Sequence, residues 1–151
     1  MSAILMALSP EAVRSIASGF RKADVRKTFP HFLRPPFKVF IYENLGAYKN
    51  RPNIGYTAYE YEGSGMVVGE CTCHKIEEAI DHNFYDYDTG ITAREISEYL
   101  KGGVGYIFFF SDIRFYDKQV PIEDFGTKRP PQSWFHVKEM KERAEREQRT
   151  D

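Results

Sequence analysis

Between residues 19 and 27 the chain reads GFRKADVRK, placing Arg21, Lys22, Arg26 and Lys27 around the single acid Asp24. Guanidinium groups fork onto a phosphate or a base edge, and ammonium groups meet phosphate as point charges. Arg34 and Lys38 follow, and Phe20, Phe29, His31, Phe32 and Phe37 are interleaved with the bases. Rings among cations make the composition of a single-stranded nucleic-acid platform, on which bases stack while cations hold the backbone. The same residues also suit a second account, aromatic core beneath a solvated basic face, and the sequence leaves both open. In an extended chain Asp24 and Arg26 share a face. The carboxylate is then placed to orient the Arg26 guanidinium or to accept a hydrogen bond from a base, while Arg21 meets phosphate.

Metal chemistry has weaker support. Cys71, Cys73, His74 and His82 carry zinc-ligand atoms, but Cys-Thr-Cys-His divides them between two strand faces and no second cysteine pair stands at ligand spacing. Buried thiols and a surface histidine are expected instead. The DYD at 86–88 offers carboxylates for Mg²⁺ without a defined ligating loop. Glu60, Glu62, Glu77, Glu78, Asp81, Asp86 and Asp88 read as a solvated negative flank. No metal and no cofactor is implied.

The elements that position these residues belong to a chain of 151 residues with a formal net charge of −1. That total conceals a separation: residues 9–51 hold nine bases and three acids, and residues 52–99 hold two bases and ten acids. A basic segment attracts phosphate whatever the sum of charges is. No apolar run approaches the ~20 residues of a membrane span, and MSAILMAL lacks the basic flank and cleavage site of a signal peptide. No membrane partner is expected. Two cysteines, two residues apart, do not make a disulfide framework, so a reducing cytoplasm is the default compartment. Twenty-three aromatic residues suffice for one core.

A first helix is signalled by Ser9 as cap, Pro10 at its first position and Glu11 at the positive end of the dipole. Ala12, Val13, Ile16 and Ala17 recur at helical spacing, and Gly19 supplies the stop. Residues 20–27 then alternate as a short strand. A proline-bounded loop over 30–36 leads to a strand at 37–42, a loop or hairpin excursion fills 46–65, and a second strand spans 66–72. A short acidic helix is expected over 76–81 and a better one over 91–100, where Thr92 and Glu95 have capping-box spacing. Residues 106–110 read as a strand continued by Ile113 and Phe115 to a turn at Asp117-Lys118, and 133–137 as a last strand. From Lys138 the chain is almost wholly charged, a solvated helix or frayed end with too little apolar surface to dock firmly.

The segment after the first helix resembles the signature of the ASCH family, a branch of the PUA-like barrels. That signature is Gly, any residue, Lys, two residues, Glu, any residue, Arg, at a helix-to-strand junction. Gly19 and Arg26 match, Arg21 stands for the Lys and Asp24 for the Glu. KVFIYE at 38–43, GMVVGECTCHKIE at 65–77, DIRFYDK at 112–118 and PPQSWFHV at 130–137 are similar to later strands of short bacterial and phage ASCH-like proteins. The resemblance covers roughly residues 9–137, with 138–151 as a charged tail. It implies an α+β, PUA-like small β-barrel with flanking helices. Its cleft would accommodate RNA or a modified nucleoside at Gly19, Arg21, Lys22, Asp24, Arg26 and Lys27.

The resemblance carries a second implication. Some small ASCH proteins are similar to amidohydrolases of acetylated cytidine nucleosides, with a Lys, a Thr and a Glu as working groups. Residue by residue these fall on Arg21, Asp24 and Glu95. Arg21 stays protonated and makes a poor general base, Asp24 is no hydroxyl nucleophile, and Glu95 has a competing role as the capping partner of Thr92. Binding is therefore the leading expectation and hydrolysis the alternative.

Overall fold

A computed structural model of the chain describes residues 3–45, 63–79 and 92–149. The order is β1 (Ala3–Leu8), α1 (Pro10–Ala17), β2 (Ala23–Arg26), β3 (Phe37–Glu43), β4 (Val67–Ala79), α2 (Ala93–Leu100), β5 (Gly105–Val120), a 3₁₀ turn (Ile122–Phe125), β6 (Trp134–Val137) and α3 (Glu142–Arg149). One mixed sheet carries them in the order β2-β5-β4-β3-β1-β6. Among the described residues only β1 and β3 run parallel, joined by a connection that contains α1 and β2.

β1 organises the sheet and was not legible as an element. All six of its residues are buried, with Ile4, Met6 and Leu8 in one apolar cluster and Ala3, Leu5 and Ala7 in another. A strand covered on both faces reads as a continuous apolar run without alternation, which is why AILMAL gave no period. The cluster on the first face receives Ala12, Val13 and Ile16 of α1. On the second face Phe125 and Ala144 cover one end, and Ile96 and Leu100 of α2 cover Ala23, Val25 and Phe109 at the other. Phe40 and Phe108 are fully buried, and truncating either to Ala is expected to cost about 3–5 kcal/mol.

α1 forms as its sequence predicts. The Ala12 amide donates to Ser9 Oγ at 3.1 Å, and Gly19, at φ +82°, turns the chain so that the amides of Phe20 and Arg21 reach the Ser15 carbonyl. β2 occupies the second half of the strand expected over 20–27, and β3, α2 and β6 lie where expected within a residue or two.

Four expectations are corrected. The acidic helix over 76–81 is absent as far as Ala79: Ile76, Glu77 and Glu78 continue β4, paired with Phe108, Ile107 and Tyr106. The turn at Asp117-Lys118 is also strand, because β5 runs on to Val120. These two strands bend instead of stopping. Asp112 takes φ +51° where Glu70↔Arg114 and Thr72↔Ser111 pairing leaves an extra residue on β5, and a Cβ on Gly69 would lie 2.5 Å from the Arg114 carbonyl oxygen.

The tail docks. Ala144 is fully buried, Arg143 holds Asp124 through Nε and Nη2 at 2.6 and 2.8 Å, and Arg114 Nη2 donates to the carbonyls of Glu147 and Gln148. Charge pairing and helix-end capping supply what the apolar stripe lacks. Finally, the hydrogen-bonded sheet is open, with β2 and β6 as its edges, so the fold is α+β without a closed barrel. The loop expected at 46–65 and the acids at 81, 86 and 88 lie almost wholly outside the described residues. Among the described residues no helix is long and apolar enough to cross a membrane.

Candidate functional site

The two sheet edges meet through side chains. Ala23 and Val25 of β2 face α2, so Asp24 and Arg26 point the other way, toward the end of β1. Arg26 Nε donates to Asp24 Oδ2 at 2.7 Å, Nη2 lies 2.6 Å from the same oxygen and donates to the Ala7 carbonyl, and Nη1 donates to the Ser133 carbonyl and hydroxyl at 3.4 and 3.3 Å. Trp134 Nε1 donates to Thr28 Oγ1 at 3.2 Å across the same gap. A buried arginine, neutralised by Asp24, thus ties β2 to β1 and to the start of β6 where a barrel would have backbone ladder.

Arg21, two residues before β2, completes the group differently. Its Nη2 lies 3.5 Å from Asp24 Oδ1, and its Nε, though buried, has no hydrogen-bond partner. Leaving such a donor unsatisfied costs on the order of 1–3 kcal/mol.

Arg21 is one wall of a cavity of about 390 Å³, inside the range of about 300–1,000 Å³ usual for small-molecule sites. Its walls are the end of β1 and start of α1 (Ala7, Leu8, Ser9), Arg21 with Asp24 and Arg26, and the α2 residues Glu95, Ile96 and Tyr99. Asn44 and Gln132 add two side-chain amides, groups that both donate and accept.

Four of the residues singled out from sequence therefore share one pocket: Arg21, Asp24, Arg26 and Glu95. Each of the three Arg26 nitrogens already has a protein partner, so its role in the fold is structural. Glu95 stands exposed, with its amide 3.1 Å from Thr92 Oγ1 and its Oε1 3.3 Å from the same hydroxyl, the capping arrangement its spacing predicts. Gly19 ends α1, Lys22 is exposed, and Lys27 extends its ammonium over the Tyr99 ring, 5.1 Å from the centroid. None of these three lines the cavity. Asn44, Tyr99 and Gln132 were missed. The polar pair Gln132-Ser133 between two prolines and an aromatic strand was the one local signal for the last of them.

The rings divide between the two accounts the sequence left open. Phe37 is core and Phe29 packs on it, with centroids 4.1 Å from His31 and 4.5 Å from Tyr106. Phe20 and Phe32 are exposed. Cys71 and Cys73 face the core. Burial drives the Cys71 thiol far above its usual range and pushes Cys73 up to about 12, which disfavours the thiolates a metal or a nucleophile needs. Among the described residues no three His, Cys, Asp or Glu side chains come together to hold a metal; His82 lies outside them.

No family model matches the sequence, and no curated protein does. Solved structures do. The crystal structure of ASCH from Zymomonas mobilis matches with a TM-score of 0.65 at 16% identity, over 97% of this chain and 92% of that one. A Tyr→Phe variant of that protein matches at 0.65 and 16% over 97% and 95%, and a Ser→Ala variant at 0.64 and 16% over 95% and 92%. The chain has an ASCH-like fold. The match extends past the region that carried the resemblance in sequence.

Proposed function

We propose that the seam pocket of this ASCH-like domain binds one nucleotide of a single-stranded or modified RNA. The gathering of Arg21, Asp24 and Glu95 with Asn44, Tyr99 and Gln132 around one cavity of about 390 Å³ is the observation that carries the reading. Arg21 supplies charge-assisted donors for a phosphate or carbonyl oxygen. Asn44 and Gln132 provide the paired donors and acceptors that read a base edge, and the half-exposed Tyr99 ring offers a stacking surface. Bases splayed out of single strands enter such pockets without the cost of opening a duplex.

Hydrolysis of a modified nucleoside in the same cavity is the alternative, because Arg21, Asp24 and Glu95 do line it together. The bonding favours binding: Asp24 Oδ2 is held by two Arg26 nitrogens, and the Ser9 hydroxyl oxygen caps α1. The test is titration of a labelled single-stranded RNA across a salt series, with Arg21→Gln beside the unaltered protein. Affinity is expected to fall roughly tenfold and the salt slope to become shallower by about one. Equal affinity and equal slope overturn the reading, and release of product from an N-acylated nucleoside moves it to the hydrolase.

A further inference from the structure

A second surface lies along the edge strand, outside the seam pocket. Phe32 is 54% exposed although it is among the most apolar side chains. It does not stand alone: its ring centroid is 4.4 Å from His136 and 5.9 Å from Trp134, at interplanar angles of 43° and 57°. Trp134 is fixed by its bond to Thr28. The three rings line a cavity of about 620 Å³ with Lys138 and Glu139 at its rim. Arg34 and Lys138, each two residues from a ring of this group, are exposed.

The chain connects this surface to the pocket directly. Gln132 lines the pocket, Ser133 accepts from Arg26, and Trp134 lines the aromatic cavity. Gln132 and Trp134 are two residues apart, which the chain spans in at most about 7 Å, so groups held at the two places are neighbours. Rings flanked by exposed cations suit a partner that presents flat π-faces joined by negative charge; an apolar protein helix would leave Arg34 and Lys138 unmatched.

We propose that Phe32, Trp134 and His136 form a stacking platform for the base next to the one held in the seam pocket, so that a single strand of nucleic acid runs along β6. The platform rests on the seam reading above, and it adds a second subsite and a direction. It makes the protein a reader of at least two consecutive nucleotides, with the pocket supplying selectivity and the platform a sequence-tolerant grip.

Trp134 is the only tryptophan, so its fluorescence reports on the platform alone. The experiment compares a uridine mononucleotide with a short oligouridylate, for the unaltered protein, Phe32→Ala and Arg21→Gln, in direct binding and by Trp134 emission. The oligomer is expected to quench Trp134 and the mononucleotide to leave it unchanged. Phe32→Ala is expected to weaken the oligomer roughly 5- to 150-fold and leave the mononucleotide unaffected, whereas Arg21→Gln weakens both. Phe32 is exposed, so its variant is expected to fold, and an unchanged melting temperature checks this. If Phe32→Ala binds the oligomer as the unaltered protein does while Arg21→Gln loses both ligands, the platform is overturned and the seam reading stands. If Arg21→Gln changes nothing, the seam reading falls and takes the platform with it. If Phe32→Ala alters only concentration-dependent sedimentation, the surface joins copies of this chain and the platform is overturned.

Discussion

Two buried aspartates, Asp24 at the seam and Asp124 under α3, each receive an arginine, and the two arrangements end differently. Asp124 is fully buried and takes both Nε and Nη2 of Arg143. On β4, Glu70 is enclosed by Lys38, Arg114 and the Tyr116 hydroxyl, at 2.5, 3.1 and 2.8 Å. Burial holds the Tyr116 phenol well above its usual range, so it stays neutral and donates. Every acceptor there is answered from within the fold. At the seam Asp24 draws in two arginines and only one is satisfied, because Arg21, a residue of the cavity wall, keeps a buried Nε–H with no partner. The same residue types build a clasp in one place and a receptive surface in the other. The difference lies in whether the donors and acceptors balance, which no residue count reveals.

That contrast can be broken by mutation, and the largest effect belongs to the seam. Arg26→Ala strands Asp24 without its close partner and cuts the ties to Ala7 and Ser133; urea unfolding should register a loss of about 3–5 kcal/mol. Arg143→Ala should cost less, since the sheet is untouched. Amide exchange would then rise across residues 142–149 while the strands remain protected. Acid titration of stability separates the clasp from the seam more finely. The Arg143 hydrogen bonds hold the Asp124 carboxyl below its ordinary range. A depressed native value contributes stability that is present above the unfolded value of about 3.9 and is lost as pH falls through the native one. Asp124→Asn should therefore flatten the acid limb below about pH 4, and a limb of unchanged depth would show that Asp124 is not its source. Arg21→Gln should leave stability within about 0.5 kcal/mol of the unaltered protein while lowering RNA affinity; a large stability loss would make Arg21 part of the clasp kind. Smallest of all, Cys71 and Cys73 should stay silent toward a disulfide reagent at pH 8 until the protein unfolds.

Local chemistry was legible where the chain itself completes it. Ser9 with Ala12, Thr92 with Glu95, and Asp24 with Arg26 each interact within three residues, so spacing alone predicts the contact. The resemblance in residues 19–26 led to an ASCH-like α+β fold, though without the closed barrel it implied, and the pocket contains both of its substituted positions, Arg21 and Asp24. What escaped depends on distant partners. Ile76-Glu77-Glu78 has helix-like acids, yet pairing with β5 overrides that preference. Asp117-Lys118 looks like a turn, but α3 lies alongside and the Lys118 amide donates to Glu147 Oε1 at 3.2 Å. Gln132 and Asn44 join the pocket from segments nearly ninety positions apart, a proximity created only by the sheet order.

That order has a consequence for how the polypeptide is made. Residues 3–6 of β1 pair with residues 134–137 of β6 on one side and, in parallel, with β3 on the other. Pairings this distant in sequence raise contact order and slow folding. During synthesis one edge of the apolar strand AILMAL stays unpaired until β6 has left the ribosome, an exposed template for association with other chains. β1, translated well before β6, is among the last strands to acquire both neighbours, and a nascent chain stalled before residue 134 would be a natural client for a chaperone.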